Sequence, residues 1–375
     1  MANKRLTLLL SALFISLIFT SCVQEVSETS TVELAVITSV PLVELQTTAT
    51  EPVISYSETV ETTTETTAPE VLQKKITISF LGDCSLATQK GDSSVGTMNY
   101  ALANLEPTYF FEKCMDIIGT DDFTIANCEN VFTDNNPSMK VKDYYPAFWF
   151  KSPTKNAKVF EVSSIDCVSL ANNHTEDYGI QGALDTRAAL EFVNVLWGDM
   201  NNSVVLEKDG VKIGIVFATF YNEWWVEKIV SELDALQTST DVQIVFFHGG
   251  TEKIHVPENW KIAGAHSFVD HGADLVVGGH PHVLQPFEEY NGVPIVYSIG
   301  NFCYGGNRLP ENRTVIFQET FILDSDNNIT ACNENIIPMY VYTGNTNNWQ
   351  PAPITNEDES TKVLDFMYGK SDTLF

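Results

Sequence analysis

The chain has 375 residues, enough for two average domains or one large α/β domain with a sizeable core. Its 49 acids against 21 bases give a formal charge of −28, which excludes a surface that grips nucleic acid or an anionic membrane through Lys and Arg. The plain consequence of such charge is solubility, and a polyanionic substrate would have to be held locally, by a metal or a small basic pocket.

Lys4 and Arg5 open the chain, Leu6 to Phe19 form an apolar core, and Thr20-Ser21-Cys22 close it. That run is too short to span a bilayer and reads as a bacterial export signal over residues 1–21. Its ending resembles a lipobox, with Phe19 where Leu is usual. Lipidation of Cys22 would leave the protein anchored at the outer face of the cytoplasmic membrane; simple secretion and an uncleaved anchor are the alternatives. Residues 22–74 are rich in Thr and Glu, with no Lys or Arg between Cys22 and Lys74. Low complexity and one-sided charge predict a solvated, extended tether.

From Lys75 onward apolar runs alternate with amphipathic segments. Ile76–Leu81, Phe123–Ala126, Asp166–Leu170, Val242–Phe247, Ala273–Val277 and Val293–Ile299 predict strands. Met98–Ile118 (interrupted near Pro107), Pro153–Ser163, Ile180–Val193 and Glu258–His271 predict helices. This alternation predicts βαβ units and a sheet covered on both faces. Asp209-Gly210, between apolar runs within Ser203–Phe220, predicts a hairpin and hence some antiparallel pairing. The runs Thr314–Leu323 and Ile336–Tyr342 read as further strands. The domain is expected over 75–335, with 336–375 a C-terminal strand and polar tail. Seven cysteines without a C-x-x-C pair exclude a disulfide scaffold, and Cys84, Cys128 and Cys167 read as small core residues.

Polar residues stand at the end of each of six strand-like runs. They are Asp83; Asn127 and Glu129; Asn172, Asn173 and His174; His248 and Glu252; His280 and His282; and Asn301. In open α/β sheets ligands bind beyond the carboxyl ends of strands, and mixed carboxylate, amide and imidazole donors suit divalent ions. Each position has a plainer reading. Asp83 could start a turn, and Asn127 with Glu129 could be a surface pair. Asn172 to His174 could cap a helix, His248 could be a buried hydrogen-bonded histidine, and Glu252 a solvated charge. Taken singly those readings are as good; taken together the register favours one metal site. His255, His266 and His271 fall outside strand ends and read as surface or helix-end residues. Tyr178, Trp224 and Trp225 could line a pocket or pack loops.

Several blocks together resemble the CapA family of bacterial capsule or poly-γ-glutamate synthesis proteins, which is related to the calcineurin-like metallophosphatases. They are Gly82-Asp83, Asn127-Cys128-Glu129, Leu170-Ala171-Asn172-Asn173-His174 with Asp177-Tyr178-Gly179, and His248-Gly249-Gly250-Thr251-Glu252. Gly279-His280-Pro281-His282 and Tyr297-Ser298-Ile299-Gly300-Asn301-Phe302 complete the set. The resemblance covers about residues 75 to 330 and implies a four-layer α/β/β/α metallophosphatase-like sandwich with mixed sheets. It implies Asp83, Glu129, Asn173, His248, His280 and His282 as ligands of one or two divalent ions (Mn, Zn or Fe). His174, Glu129 and Glu252 are then the proton-handling groups, and Asn127, Asn172, Tyr178 and Asn301 contact substrate. The substrate would be a phosphoester or an anionic polymer with γ-glutamyl amide bonds, and synthase subunits would be partners. Two departures stand out. Ser85 occupies the place where metallophosphatases carry a histidine, which weakens a second metal position. Gly249 occupies the place where the family usually has Trp, so that pocket wall differs.

Overall fold

The computed structural model describes residues 73–305 and 312–374. The expected signal, the lipidation position Cys22 and the tether up to residue 72 lie outside them.

Most strands form two mixed sheets, and the short runs Thr88–Gln89, Val131–Phe132 and Phe150–Ser152 form a small third one. β1 (Lys74–Ser85), β2 (Phe123–Cys128), β3 (Cys167–Ser169) and β4 (Leu196–Gly198) are parallel neighbours in the first. The expected hairpin follows as β5 (Val204–Lys208) and β6 (Val211–Thr219), turning at Asp209-Gly210, both with positive φ. β7 (Val242–His248), β8 (Leu275–Gly279), β9 (Leu284–Tyr290) and β10 (Val293–Ile299) complete the second sheet, in the order β9-β10-β8-β7-β6-β5. The chain then returns to the first sheet with β11 (Asn301–Tyr304), β12 (Thr314–Leu323), β13 (Ile329–Tyr340) and β14 (Ala352–Pro353). The first sheet's order is β14-β13-β12-β1-β2-β3-β4, with β11 beside β1.

Side-chain parity shows why there are four layers. Along β7, Ile244 and Phe246 enter the core between the sheets, whereas Val245 and Phe247 enter a second core on the far face. β6 divides in the same way, with Ile213, Ile215 and Phe217 inward and Val216 and Ala218 outward. Helices α1 (Met98–Asn104) and α2 (Gly179–Phe192) cover the first sheet through Met98, Ala101, Leu102, Ala189 and Leu190. Helices α3 (Val226–Gln237) and α4 (Asn259–Asp270) cover the second through Ile229, Leu233, Ala265 and Phe268. This is the four-layer α/β/β/α sandwich.

Four expectations need correction. The run Ala273–Val277 does not stop at its glycines: β8 continues through Gly278-Gly279, because a Cβ at Gly278 would come within 2.4 Å of the Tyr297 carbonyl on the next strand. Asp83 does not end a strand but sits inside β1, at a register shift between Leu81 and Asp83. Helix α3 falls where no helix was expected. Finally, the boundary at 335/336 cuts β13, and the tail carries helix α5 (Glu357–Met367), whose Val363, Phe366 and Met367 close the inter-sheet core. Asn356 caps α5 by accepting from Glu359 N at 3.0 Å.

Candidate metal centre

The carboxyl ends of β1, β2, β3, β7 and β8 converge. Gly82 permits this, since a Cβ there would lie 2.0 Å from the Gly300 carbonyl oxygen. Asp83 N donates to that same oxygen at 2.9 Å. His280 and His282 both hold positive φ, 92° and 59°, an uncommon backbone state for non-glycine residues. Such backbone costs on the order of 1–3 kcal/mol per residue and tends to sit at functional sites. Their block is therefore folded against local preference, with Pro281 between them.

Glu129 is the centre of the group. It is fully buried, and neither carboxylate oxygen has a hydrogen-bond partner among the described residues. Its Oε1 stands 3.8 Å from His174 Nε2, 3.7 Å from His248 Nε2 and 3.8 Å from His282 Nε2. These separations are too long for hydrogen bonds. Two donors each ~2.0–2.2 Å from one ion, however, stand about 3–4 Å apart. Glu129, His280 and His282 each offer a ligand atom within 4.8 Å of the others. His248 Nε2 also lies 2.9 Å from Asn173 Oδ1 and 3.0 Å from His280 Nδ1. Imidazole nitrogens, an amide oxygen and an orphaned carboxylate thus crowd one point, which is the donor chemistry of a divalent transition metal.

Around them a shell of polar residues fixes orientation. Asp83 Oδ2 lies 3.1 Å from His282 Nδ1 and accepts the His280 backbone N–H at 3.2 Å. Asn301 Oδ1 is 2.9 Å from His282 Nδ1, so Nδ1 carries a proton and Nε2 is the nitrogen turned toward Glu129. His174 is held in the same way by Asp177 Oδ2, at 2.7 Å from Nδ1. Asn127 Nδ2 donates to Asp83 Oδ1 at 2.8 Å, and Asn172 Nδ2 donates to Asn127 Oδ1 at 3.0 Å.

The electrostatics follow from burial. Burial pushes the Glu129 carboxyl well above its ordinary range, and neighbouring Asp83 adds to this. Burial works against ionisation of Asp83 too, but His248 and His282 outweigh it and hold that carboxyl well below its ordinary range. Burial lowers His280, with His248 and His282 adding, and burial lowers His248 and His174 as well. His282 runs the other way: burial lowers it, but Glu129 and Asp83 prevail and raise it to about 10.

All six expected ligand positions therefore lie in one group with His174. Asn127, Asn172 and Asn301, expected to contact substrate, have their side chains committed inside the protein as orienting groups. Tyr178 is buried and packs on Gly182, with Lys151 Nζ 5.3 Å from its ring. Glu252 is on an exposed loop. Trp224 is exposed, and Trp225 packs on the outer core of the second sheet. The histidines outside the strand ends lie elsewhere: His266 pairs with Glu288 at 2.9 Å, His271 with Asp234 at 3.6 Å, and His255 Nδ1 is 2.9 Å from the Leu284 carbonyl. Asp177 was missed as a functional residue, although its spacing three after His174 places it within one turn. Tyr221 was also missed. Its ring lies edge-on to His280 at 5.1 Å, beside Gly249, where a Cβ would meet the Phe220 carbonyl at 1.6 Å. Next to Asn173 opens a cavity of about 160 Å³ whose wall includes Lys140 and Arg187.

Residues 77–305 match the family model described as bacterial capsule synthesis protein PGA_cap. The chain is 26% identical over 309 residues to a capsule biosynthesis protein CapA of Bacillus anthracis, covering 74% of this chain and 71% of that one. It is 29% identical over 217 residues to the PGA biosynthesis protein CapA of Bacillus subtilis, covering 52% of this chain and 56% of that protein. Among solved structures, NAD nucleotidase (NadN) of Haemophilus influenzae aligns with a TM-score of 0.42 and 16% identity, over 80% of this chain and 63% of that one. The matched span holds all six positions expected as ligands, and the chain belongs to the bacterial capsule synthesis family PGA_cap.

Proposed function

We propose that this domain is a metal-dependent hydrolase of cell-surface polymer synthesis, acting on a phosphoester or a γ-glutamyl amide bond. The observation that carries this reading is Glu129: a buried carboxylate with no hydrogen-bond partner, faced by three imidazole nitrogens at 3.7–3.8 Å. Asp83, Glu129, Asn173, His248, His280 and His282 would hold a divalent ion such as manganese, zinc or iron. When bound, such an ion supplies Lewis acidity and a more acidic water. Ser85, whose buried hydroxyl has no partner, offers a second position only a weak donor.

The chain's own residues supply the rest. Asp177 fixes His174 so that its Nε2 faces the cluster; His174 takes a proton at Nε2 from the attacking water, with Asp177 stabilising the imidazolium, and returns it to the leaving atom. Glu252, on its exposed loop, is positioned to exchange protons with solvent. Lys140 and Arg187 give an anionic substrate two cations in a chain that is otherwise strongly acidic. The N-terminal pattern supports export, lipidation at Cys22 and display at the outer face of the cytoplasmic membrane, with residues 22–74 as a spacer beside synthase subunits. The relatives' names support a role in capsule or polyglutamate assembly.

A non-catalytic component that binds or tethers the polymer is the second reading, and Ser85 in the histidine place favours it. Assays of Mn²⁺-loaded protein on a phosphodiester and on poly-γ-glutamate separate the two, with H280A/H282A as control. Turnover that disappears in the double variant supports the enzyme. Turnover that is absent, together with polymer export still restored by the double variant, supports the tether.

A further inference from the structure

We infer that Tyr221 is a ligand-contacting residue of this centre, its phenol donating a hydrogen bond to an anionic phosphoryl oxygen of the bound substrate. The inference rests on reading the cluster as a metal centre for an anionic substrate.

The position is fixed from behind. Phe220 is fully buried, edge-on to Phe247, Trp260 and Phe268 at 5.5, 5.0 and 5.2 Å. Its backbone N–H donates to the His248 carbonyl at 2.9 Å, so the end of β6 is tied to the strand that delivers a ligand. Gly249 allows that approach. The next residue, Tyr221, therefore has little freedom. Its ring stands nearly perpendicular to His280 (5.1 Å, 83°) and to His248 (6.4 Å, 86°).

The hydroxyl is the telling part. Its oxygen is buried and has no hydrogen-bond partner among the described residues. A buried polar group left unpaired destabilises a fold, and a phenylalanine would pack the same ring without that cost. The ring that carries the hydroxyl lies against two imidazoles of the proposed centre, and no group among the described residues accepts the phenol proton. The acceptor is therefore assigned to a bound anion, and in the ligand-free protein a water can stand in its place.

The test uses the full-length protein loaded with Mn²⁺, inorganic phosphate as the probe, and the variant Tyr221→Phe. Calorimetry measures phosphate affinity, elemental analysis measures bound Mn²⁺, and thermal melting reports the metal-free fold. The expected result is phosphate affinity about 10- to 100-fold weaker in the variant, the worth of one hydrogen bond to a charged group. Bound Mn²⁺ should be unchanged, and the metal-free melting temperature equal or a few degrees higher. Equal phosphate affinity in variant and wild type would remove Tyr221 from the site and leave the metal centre standing. A lower melting temperature with loss of Mn²⁺ would make Tyr221 structural and overturn the inference. Failure of the Mn²⁺-loaded wild type to bind phosphate would remove both the inference and the phosphoester reading.

Discussion

Replacing Glu129 by Gln should move two observables in opposite directions. In the metal-free protein Glu129 is fully buried, unpaired and close enough to Asp83 for the two charges to raise its pKa. An unsatisfied buried polar group costs about 1–3 kcal/mol, and more when charged. Glutamine keeps the shape and removes the charge, so the metal-free variant should gain about 1–3 kcal/mol. At ~2–4 °C per kcal/mol for a domain of this size, that raises the melting temperature by several degrees. Mn²⁺ should do the reverse. At a free concentration 100 times Kd, linkage stabilises the wild type by about 2.7 kcal/mol, a shift of about 5–10 °C. If the variant binds about 100-fold more weakly, the same concentration leaves about 0.4 kcal/mol, or 1–2 °C. Melting curves of both proteins with and without Mn²⁺ measure all four values. An unchanged Mn²⁺ shift in E129Q, or a metal-free variant less stable than wild type, would refute the assignment of Glu129 as a ligand.

Asp177→Asn should reduce turnover by about 100-fold or more, because His174 loses the acceptor that fixes its tautomer and the stabilisation of its protonated form. Mn²⁺ affinity should change little, and kcat beside a Mn²⁺ titration checks this. Glu319 faces the core between the sheets with both oxygens unpaired, and burial, with Glu334 adding, pushes its carboxyl up to about 8. A folded pKa above the unfolded one makes its stabilising contribution complete below about pH 4.5 and lost as pH rises through about 8. Glu319→Gln should therefore add on the order of 2–4 kcal/mol at pH 9 and much less at pH 5, as urea melts at the two pH values would show. Gly249→Ala would place a Cβ 1.6 Å from the Phe220 carbonyl, so it should cost about 3 kcal/mol or more and pull β6 from His248, lowering Mn²⁺ affinity as well.

Much of the centre was legible because parallel, doubly covered strands write themselves as short apolar runs. The residue after each run then falls at a common edge. Asp83, Glu129, Asn173, His248, His280 and His282 could all be chosen that way. What the pattern could not show is which polar side chains face the ligand and which serve each other. Asn127, Asn172 and Asn301 look like substrate contacts in one dimension, yet their amides are used up in holding Asp83, one another and His282. Tyr221 carries no motif, and its role depends on a hydroxyl left unpaired by the fold. Helix α5 was hidden by its acidic first turn, Glu357-Asp358-Glu359, which reads as solvated tail. Yet Asn356 and Glu359 have capping-box spacing, and those acids favour a helix N-terminus, so the signal was present but lacked an apolar stripe before Val363.

Charge decides in what order this centre can work. Asp83, Glu129, Asp177 and Glu252 gather around imidazoles of which His174, His248 and His280 are pushed toward the neutral form by burial. Lys140 and Arg187, on the cavity wall, are already drawn to Glu176 at 3.6 Å and Asp199 at 2.6 Å. The metal-free pocket therefore repels an anion, and buried charges are screened by salt far less than exposed ones. On the proposed reading a divalent ion would reverse the sign at the one point where carboxylate and imidazoles meet, and it would have to precede an anionic substrate. The chain's acidity elsewhere would then confine such a substrate to that single place.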